Sequence, residues 1–380
     1  MIREQVAPRP DWQAKVEARG LIWHTADGRP YWAEGTWYRF DRIEVDLIEG
    51  ATAELYRLFL EAGQAVIDDP QALRVFGIPD HCHEPIRQAW RDEPPALNFG
   101  RFDLGYDGTG APKLFEFNCD TPTSLLEAAL IQWDWKQELF RHNDQFNSLH
   151  ERLVGKWADI RTLVRDRLVH FAHVADAVGE DTVTVAYLRD TAEEAGLKTK
   201  AIAIDDIGWD QENRVFVDLD EQAMTTIFKL YPWEWLTNEQ FGRNLIESLD
   251  RTVWMEPIWK MIWSNKAILP VLWSMFPDHP NLLPASYSPI AGDVVTKPAL
   301  SREGANVVIH RDAKMIAASS GAYDDSRIIY QALYDLPETA PGCYPVIGSW
   351  IVDGAPAGMG IREDGLITGN TARFVPHVIG

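Results

Sequence analysis

The sequence predicts a mixed α/β (α+β) fold with a helical N-terminal region and antiparallel strands toward its end. Apolar residues recur at helical spacing from Asp41 to Asp68, and Pro70 ends this pattern. The last sixty or so residues form short apolar runs separated by tight turns, which is typical of strands in a sheet. Strands and helices do not alternate regularly along the whole chain, so a repeating βαβ protein is not expected.

The other elements follow from local patterns. Leu97 to Cys119 is rich in strand-forming residues and is broken at Asp107–Gly110, a turn signal, so it predicts a hairpin. No linker separates two halves, and one domain over residues 1–380 is expected. Further helices are predicted over 123–140, 143–167 and 182–195, and one more begins at about Asn265. Further strands are predicted over 293–297 and near Ala201, Ile227, Ile328, Val346, Gly358 and Leu366.

Composition excludes several classes of protein. The 380 residues carry 36 Lys and Arg against 57 Asp and Glu, a net charge of −21, which argues against nucleic acid as a partner. The most apolar stretch, 255–276, is interrupted by polar residues and Pro270, so no membrane partner is expected. With three cysteines and no apolar leader at the start, a cytoplasmic location is expected. Tryptophans such as Trp233 and Trp235 cluster with other apolar residues and are interpreted as core.

Polar side chains follow one face of the predicted hairpin. The two-residue period of a strand places Arg101 with Asp103, and Glu116 with Asn118, while Phe115 and Phe117 should point to the opposite face. A hairpin brings the two polar faces together. Two carboxylates and an amide oxygen suit Mg²⁺, which takes a few such ligands together with phosphate oxygens and water. The alternative is an ordinary solvent-exposed face with surface ion pairs.

Two lysines and a polar loop add to this pattern. A short strand ends at Lys297 and is followed by the loop 301–308, whose backbone N–H groups could cover a triphosphate that Lys297 also reaches. Lys266 opens a strongly apolar helix and either lies at its edge or reaches into a site. A plain surface hairpin is the alternative for the loop.

Four long segments carry a family resemblance. In order along the chain they read EFNCDTPTSLLEA, EPIWKMIWSNKAILPVLWSMFP, VVTKPALSREGANV and YQALYDLP. They resemble the synthetase domain of glutathionylspermidine synthase, and most of all its stand-alone relatives that lack an amidase domain. The similarity runs from about Trp12 to His377.

The resemblance implies an ATP-grasp fold, in which two lobes clamp ATP and Mg²⁺, with a lid at about 265–325. It also implies a carbon–nitrogen ligase that converts a carboxylate to an acyl phosphate and couples it to an amine. The partners would then be small molecules: a peptide or amino-acid carboxylate donor and an amine acceptor similar to a polyamine.

The resemblance further assigns roles by position. It implies Asp103, Glu116 and Asn118 as magnesium ligands, and Arg101 and Arg362 as catalytic arginines. The ATP-binding residues that it implies are Arg101, Asp103, Lys266, Lys297, Glu303, Gly304, Gln331, Ala332, Leu333, Tyr334, Val346, Leu366, Ile367 and Thr368.

Substrate recognition is implied at four further positions. Thr121 corresponds to a hydroxyl that contacts the peptide substrate, and Glu180 and Asp181 correspond to an acidic pair that receives amino groups. The same pair can instead be read as the cap of an exposed helix N-terminus. Leu230 replaces a threonine that contacts glutathione, a departure that favours a different donor. Two alternatives stay open: an inactive ATP-binding scaffold, and an ATP-grasp ligase with unrelated substrates.

Overall fold

The computed structural model describes residues 1–26, 28–174, 179–323, 327–370 and 372–380, and its strands form four sheets of three or more strands over these ranges. The strands are β1 (Ile2–Gln5), β2 (Thr25–Ala26), β3 (Arg29–Pro30), β4 (Thr36–Phe40), β5 (Gly100–Gly105), β6 (Lys113–Asn118), β7 (Leu168–His173), β8 (Lys198–Ala203), β9 (Gly208–Asp210), β10 (Val215–Val217), β11 (Thr226–Leu230), β12 (Val253–Met255), β13 (Ala285–Ser286), β14 (Val294–Pro298), β15 (Val308–Arg311), β16 (Lys314–Ala318), β17 (Ile328–Ala332), β18 (Tyr344–Val352), β19 (Ala355–Asp364), β20 (Arg373–Val375) and β21 (His377–Ile379).

Several helices pack against these sheets, and a π-helical turn at Glu127–Ile131 precedes one helix. The helices are α1 (Trp12–Glu17), α2 (Arg42–Asp68), α3 (Ala72–Val75), α4 (Asp80–Asp92), α5 (Gln132–Leu139), α6 (Leu149–Ile160), α7 (Glu180–Glu194), α8 (Trp233–Leu236), α9 (Gly242–Glu247), α10 (Lys260–Trp263) and α11 (Ile268–Met275). Among those that pack against the sheets are α2, α6, α7 and α11. None of the helices in the described ranges is long and apolar enough to cross a membrane.

The long helix α2 confirms the first prediction and shows why it starts at this point. Asp41 and Glu44 form a reciprocal capping box, in which each side chain accepts from the other residue's backbone N–H. One face of α2 is buried and packs its Phe59 ring against Phe102 and Phe117 of the hairpin. The helix therefore supports the sheet that carries the polar face.

The predicted hairpin is the centre of an antiparallel sheet with strand order β20-β19-β18-β5-β6. Its register pairs Arg101 with Asn118 and Asp103 with Glu116, as the polar pattern predicted. The prediction for Phe115 was wrong, because a bulge after Asp103 gives β6 one extra residue and interrupts the alternation. Phe115 consequently lies on the cavity side of the strand and not with Phe117.

A second antiparallel sheet, of order β13-β17-β14-β15-β16, covers the polar face. Its loop 299–307 joins β14 to β15 and belongs to the predicted lid region. Lys266 lies between α10 and α11, so the predicted helix begins at Ile268 and not at Asn265. The Lys266 backbone N–H donates to the Ala299 carbonyl (2.9 Å), which fixes this lysine beside the loop.

The third sheet is parallel, with order β12-β11-β7-β8. After β7 the chain passes through α7 to β8 on one side, and after β11 it passes through α8 and α9 to β12 on the other. The carboxyl ends of β7 and β11 therefore form a switch point, the place where open α/β sheets bind ligands.

Other predictions were wrong for local reasons. Leu366 is not in a strand, because the Asp364 carboxylate accepts the backbone N–H groups of Gly365 (2.8 Å) and Gly369 (2.9 Å) and forms a turn. The helix expected over 143–167 is only α6, since backbone groups near its predicted start pair with strands of the C-terminal region. The N-terminal region also contributes β1 and β4 to a small sheet, in which β4 pairs with β1 on one side and with β21 on the other.

Candidate active site

All residues predicted for the site line a single cavity between the two antiparallel sheets and the carboxyl edge of the parallel sheet. The predicted members are Arg101, Asp103, Glu116, Asn118, Thr121, Glu180, Asp181, Leu230, Lys266, Lys297, Glu303, Gly304, Gln331, Ala332, Leu333, Tyr334, Val346, Arg362, Leu366, Ile367 and Thr368. The fold therefore brings together side chains that are separated by most of the chain.

Asp103 is the centre of the polar face. Its carboxylate accepts from Arg101 Nε (2.7 Å), from Arg362 Nη2 (2.6 Å) and from Asn118 Nδ2 (3.2 Å). Asp103 is only 3% exposed, so this is a buried cluster and not the solvated face considered as an alternative. Burial and the neighbouring Arg101 guanidinium lower the pKa of Arg362.

Glu116 is held between cations. Its Oε2 lies 2.9 Å from Lys266 Nζ, and Asn118 Nδ2 donates to its Oε1 at 3.2 Å. Burial opposes ionisation, but Lys266 and Lys297 together hold the pKa of Glu116 well below its usual range. The carboxylate is therefore ionised and able to ligate a cation.

Lys297 lies in β14, and its side chain enters the cavity from the sheet opposite the hairpin. Its ammonium donates to Gln331 Oε1 (2.6 Å) and to the Phe115 carbonyl (3.2 Å). Burial, assisted by the neighbouring Lys266, lowers the pKa of Lys297 to about 8. The Gln331 amide in turn donates to the Leu114 carbonyl (2.9 Å), so Gln331 tethers the lysine to the hairpin.

The loop 299–307 is folded over the cavity. Lys266 Nζ donates to the Ser301 carbonyl (2.5 Å), while Arg302 donates to the Glu234 carboxylate (2.6 Å) and to Thr121 Oγ1 (2.7 Å). Gly304 has a φ of 69°, and a Cβ at this position would lie 2.6 Å from the Thr368 carbonyl oxygen. The loop can therefore approach the 366–369 turn only with glycine there.

The far end of the cavity is acidic. Helix α7 begins at Glu180 with Gly179 as its N-cap, so Glu180 and Asp181 lie in the first turn and are not the cap itself. Burial, together with Glu127, Asp181 and Glu303, raises the pKa of Glu180 to about 8. Behind this pair, the fully buried Glu127 accepts a hydrogen bond from Tyr31 Oη (2.7 Å).

Several lining residues were not found by sequence reasoning. Tyr31, Phe115, Arg302 and Trp235 all contact the cavity. The interpretation of Trp235 as core was wrong, because this residue is 43% exposed at the cavity rim. Arg302 lay within the recognised loop, and its charge was the signal that could have identified it; nothing local distinguished Tyr31.

The residues present fit a bound nucleotide with a divalent metal. Arg362 Nε is buried and has no hydrogen-bond partner among the described residues, which leaves a guanidinium N–H for a phosphate oxygen. Two carboxylates and an amide converge without His or Cys, a donor set that suits Mg²⁺ completed by phosphate oxygens and water. Apolar walls for a base are supplied by Val295, Ile309, Val346 and Leu366.

Comparisons with known proteins identify the family of this chain. A family model described as glutathionylspermidine synthase preATP-grasp matches residues 3–380. A Haemophilus influenzae protein named as an acid–amine ligase is 39% identical over 97% of this chain and 97% of its own length. A trypanothione synthetase of Crithidia fasciculata is 31% identical over 84% of this chain, which matches 53% of that protein.

The fold is also found among solved structures. A glutathione synthetase-like effector from Globodera pallida covers 97% of this chain and 95% of its own, with a TM-score of 0.60 and 12% identity, a likeness of fold alone. Together with the family model, it confirms the ATP-grasp fold that the resemblance implied. The chain therefore belongs to the glutathionylspermidine synthase family.

Proposed function

We propose that this protein is an ATP- and Mg²⁺-dependent acid–amine ligase that activates a carboxylate as an acyl phosphate and transfers the acyl group to an amine. The observation that carries the proposal is the arrangement around Asp103. Two guanidiniums, a second carboxylate and an amide meet there, with two lysine ammonium groups on the facing elements. Relatives named as ligases of this kind support the same reaction class.

The charges suit phosphoryl transfer. Asp103, Glu116 and Asn118 would hold the metal, which when bound supplies charge neutralisation on the phosphate oxygens. Lys266 and Lys297 would contact the triphosphate. Arg101 and Arg362 lie next to the metal-ligand set, where they can hold the donor carboxylate and the transferring phosphoryl group.

The remaining lid residues would keep water away from the activated acyl group. The loop 299–307 is held down at Ser301 by Lys266, and its Gly304 packs against Thr368. An acyl phosphate hydrolyses in water, so a closed loop over the cavity preserves it until the amine attacks. Glu303 and Gly304 would lie over the phosphates.

The acidic end of the cavity would receive the acceptor. Glu180, Asp181 and the buried Glu127 form a carboxylate cluster, in which burial and the neighbouring carboxylates raise the pKa of Glu180. An ammonium group on the acceptor would relieve that repulsion, which favours diamines and polyamines. Its attacking amine must be uncharged, while a second ammonium is held by the cluster.

The decisive experiment measures ADP release over a panel of carboxylates and amines, with hydroxylamine as a small trapping nucleophile. Carboxylate-dependent ADP and hydroxamate formation is expected for the wild type and should be lost in Asp103→Asn. Asp46→Asn, an exposed helical carboxylate paired with Arg42, is the matched control and should behave like the wild type. ATP binding without carboxylate-dependent ADP release from any panel member would favour an inactive nucleotide-binding scaffold.

A further inference from the structure

The substrate end of the cavity has two walls of different chemistry, divided by the segment 121–124. Arg101 Nη1 donates to the Thr123 carbonyl (2.6 Å) and fixes this segment beside the polar face. On one side, the Thr123 hydroxyl hydrogen-bonds the Glu180 carboxylate. On the other side, Thr121 Oγ1 accepts from Arg302 Nη1 (2.7 Å). The carboxylate substrate and the amine substrate can therefore reach the reacting centre from separate directions.

The wall on the Thr121 side is apolar and aromatic. It is built where β11 ends at the switch point and consists of Leu230, Tyr231, Pro232 and Trp235. The Tyr231 and Trp235 rings meet edge to face with centroids 5.4 Å apart, which orients the half-exposed indole at the cavity mouth. An exposed indole on a cavity wall offers apolar contact area to a ligand.

Within the described part of the chain, no free cation faces this wall. Arg302 is the cation next to it, and its Nε and Nη2 both donate to Glu234 (3.1 and 2.6 Å). Its remaining nitrogen is engaged by Thr121. The other lining cations among the described residues lie elsewhere: Arg101 and Arg362 on the polar face, Lys297 on the opposite sheet, and Lys266 between α10 and α11, paired with Glu116.

We propose that the acyl donor is a monocarboxylate with an apolar, aliphatic or aromatic side group that packs on Leu230 and Trp235. This rests on the proposed function, since it names the substrate class of the same site. A donor with a second carboxylate on this side, such as glutathione, would place that charge against apolar residues and a neutralised arginine. Discrimination follows because a buried charge without a partner is rejected strongly.

The test compares donors in the hydroxamate assay with saturating ATP and hydroxylamine. N-acetylphenylalanine and N-acetylleucine should have kcat/KM values at least about tenfold above N-acetylglutamate and glutathione. Trp235→Ala should raise the KM for N-acetylphenylalanine about tenfold and leave the KM for ATP unchanged, while Trp235→Phe retains most of the affinity. Trp133→Ala, at a partly exposed tryptophan outside the cavity, is the matched control.

A binding measurement separates this inference from the proposed function. Calorimetric titration of N-acetylphenylalanine, with a non-hydrolysable ATP analogue present, should show binding that Trp235→Ala weakens and Trp133→Ala does not. If that pattern holds without any ADP release, the proposed function fails, while the apolar wall is still shown to bind this class of carboxylate. A wild-type preference for glutathione or N-acetylglutamate, or an unchanged donor KM in Trp235→Ala, would overturn the donor class. Leu230→Thr should reduce the preference for apolar donors.

Discussion

At the scale of single residues, Asp103 shows how burial changes the meaning of a substitution. As a surface carboxylate it could be removed at little cost, but it is buried and shared by Arg101 and Arg362. Asp103→Ala should therefore lose about 3–5 kcal/mol of unfolding free energy, because two guanidiniums would face each other without their counter-charge. Chemical denaturation checks this.

The matching isostere separates stability from chemistry. Asp103→Asn keeps the shape and an acceptor oxygen, so it should lose less stability than Asp103→Ala while still losing ATP turnover. Asp46→Asn should change neither quantity by a measurable amount, since its pair with Arg42 is exposed on α2. An active Asp103→Asn enzyme would remove Asp103 from the proposed metal ligands.

Lys297 predicts a pH dependence for nucleotide binding. Burial lowers its pKa to about 8, so the ammonium is charged below that pH and becomes neutral above it. The dissociation constant for ATP should therefore increase between about pH 7 and about pH 9 in the wild type. Lys297→Arg keeps its charge across this range and should give a flatter profile in titration calorimetry. Parallel profiles for the two proteins would contradict a phosphate contact by Lys297.

The raised pKa of Glu180 predicts a pH dependence of the protein's stability. The pKa of Glu180 is raised to about 8 in the folded state, so between its unfolded value near 4.5 and about 8 the folded state holds a proton that the unfolded state has released. Stability is thus lost as the pH rises through this window. Glu180→Gln should have an unfolding free energy higher than the wild type by about 1 kcal/mol or more near pH 9, and a smaller difference near pH 5. Thermal unfolding at both pH values measures it.

At the scale of elements, the loop 299–307 links the two halves of the cavity. Contacts at Ser301 and Arg302 hold the loop closed. When the loop opens, trypsin can cleave the Arg302–Glu303 bond. Mg-ATP should slow cleavage at this bond, because phosphate adds partners that only the closed loop can contact. The Gly304→Ala variant should be cleaved faster both with and without Mg-ATP, since its Cβ would clash with the Thr368 carbonyl. Equal cleavage of the wild type with and without nucleotide would argue against a phosphate-covering role.

The hairpin shows what the sequence could and could not predict at this scale. Alternation placed Arg101, Asp103, Glu116 and Asn118 on one face because a strand has a fixed period of two. The bulge that turns Phe115 into the cavity has no local signature, since it depends on how β6 pairs with β5. Local period is thus readable from sequence, whereas register irregularities are set by the partner strand.

The predictions for Trp235 and Leu366 were wrong for related reasons. An apolar residue is core in most contexts, but Trp235 lies on a short helix at the cavity rim, where it stays exposed and where the proposed donor would cover it. The sequence around Leu366 resembles a strand, yet the Asp364 carboxylate accepts hydrogen bonds from backbone N–H groups that a strand would need for pairing.

At the scale of the whole molecule, three sheets contribute one surface each to the cavity. The hairpin supplies the polar face, the second antiparallel sheet supplies Lys297 and the loop, and the parallel sheet supplies the switch point with Glu180 and Leu230. Contacts such as Lys297 with Gln331, or Arg302 with Thr121, join distant parts of the chain. Family resemblance located most of these residues, while their mutual pairing came only from the structure.

The buried pairs around Asp103 and Glu116 have a thermodynamic consequence. Arg101, Arg362 and Lys266 pair with the carboxylates of Asp103 and Glu116, which a bound cation would also need. A cation alone would displace these basic groups, and a triphosphate alone would strip the acids of their counter-charges; arriving together, the two ligands exchange partners and leave every charge matched. Occupancy by one should thus strengthen the other by an equal factor, a reciprocity that linkage requires.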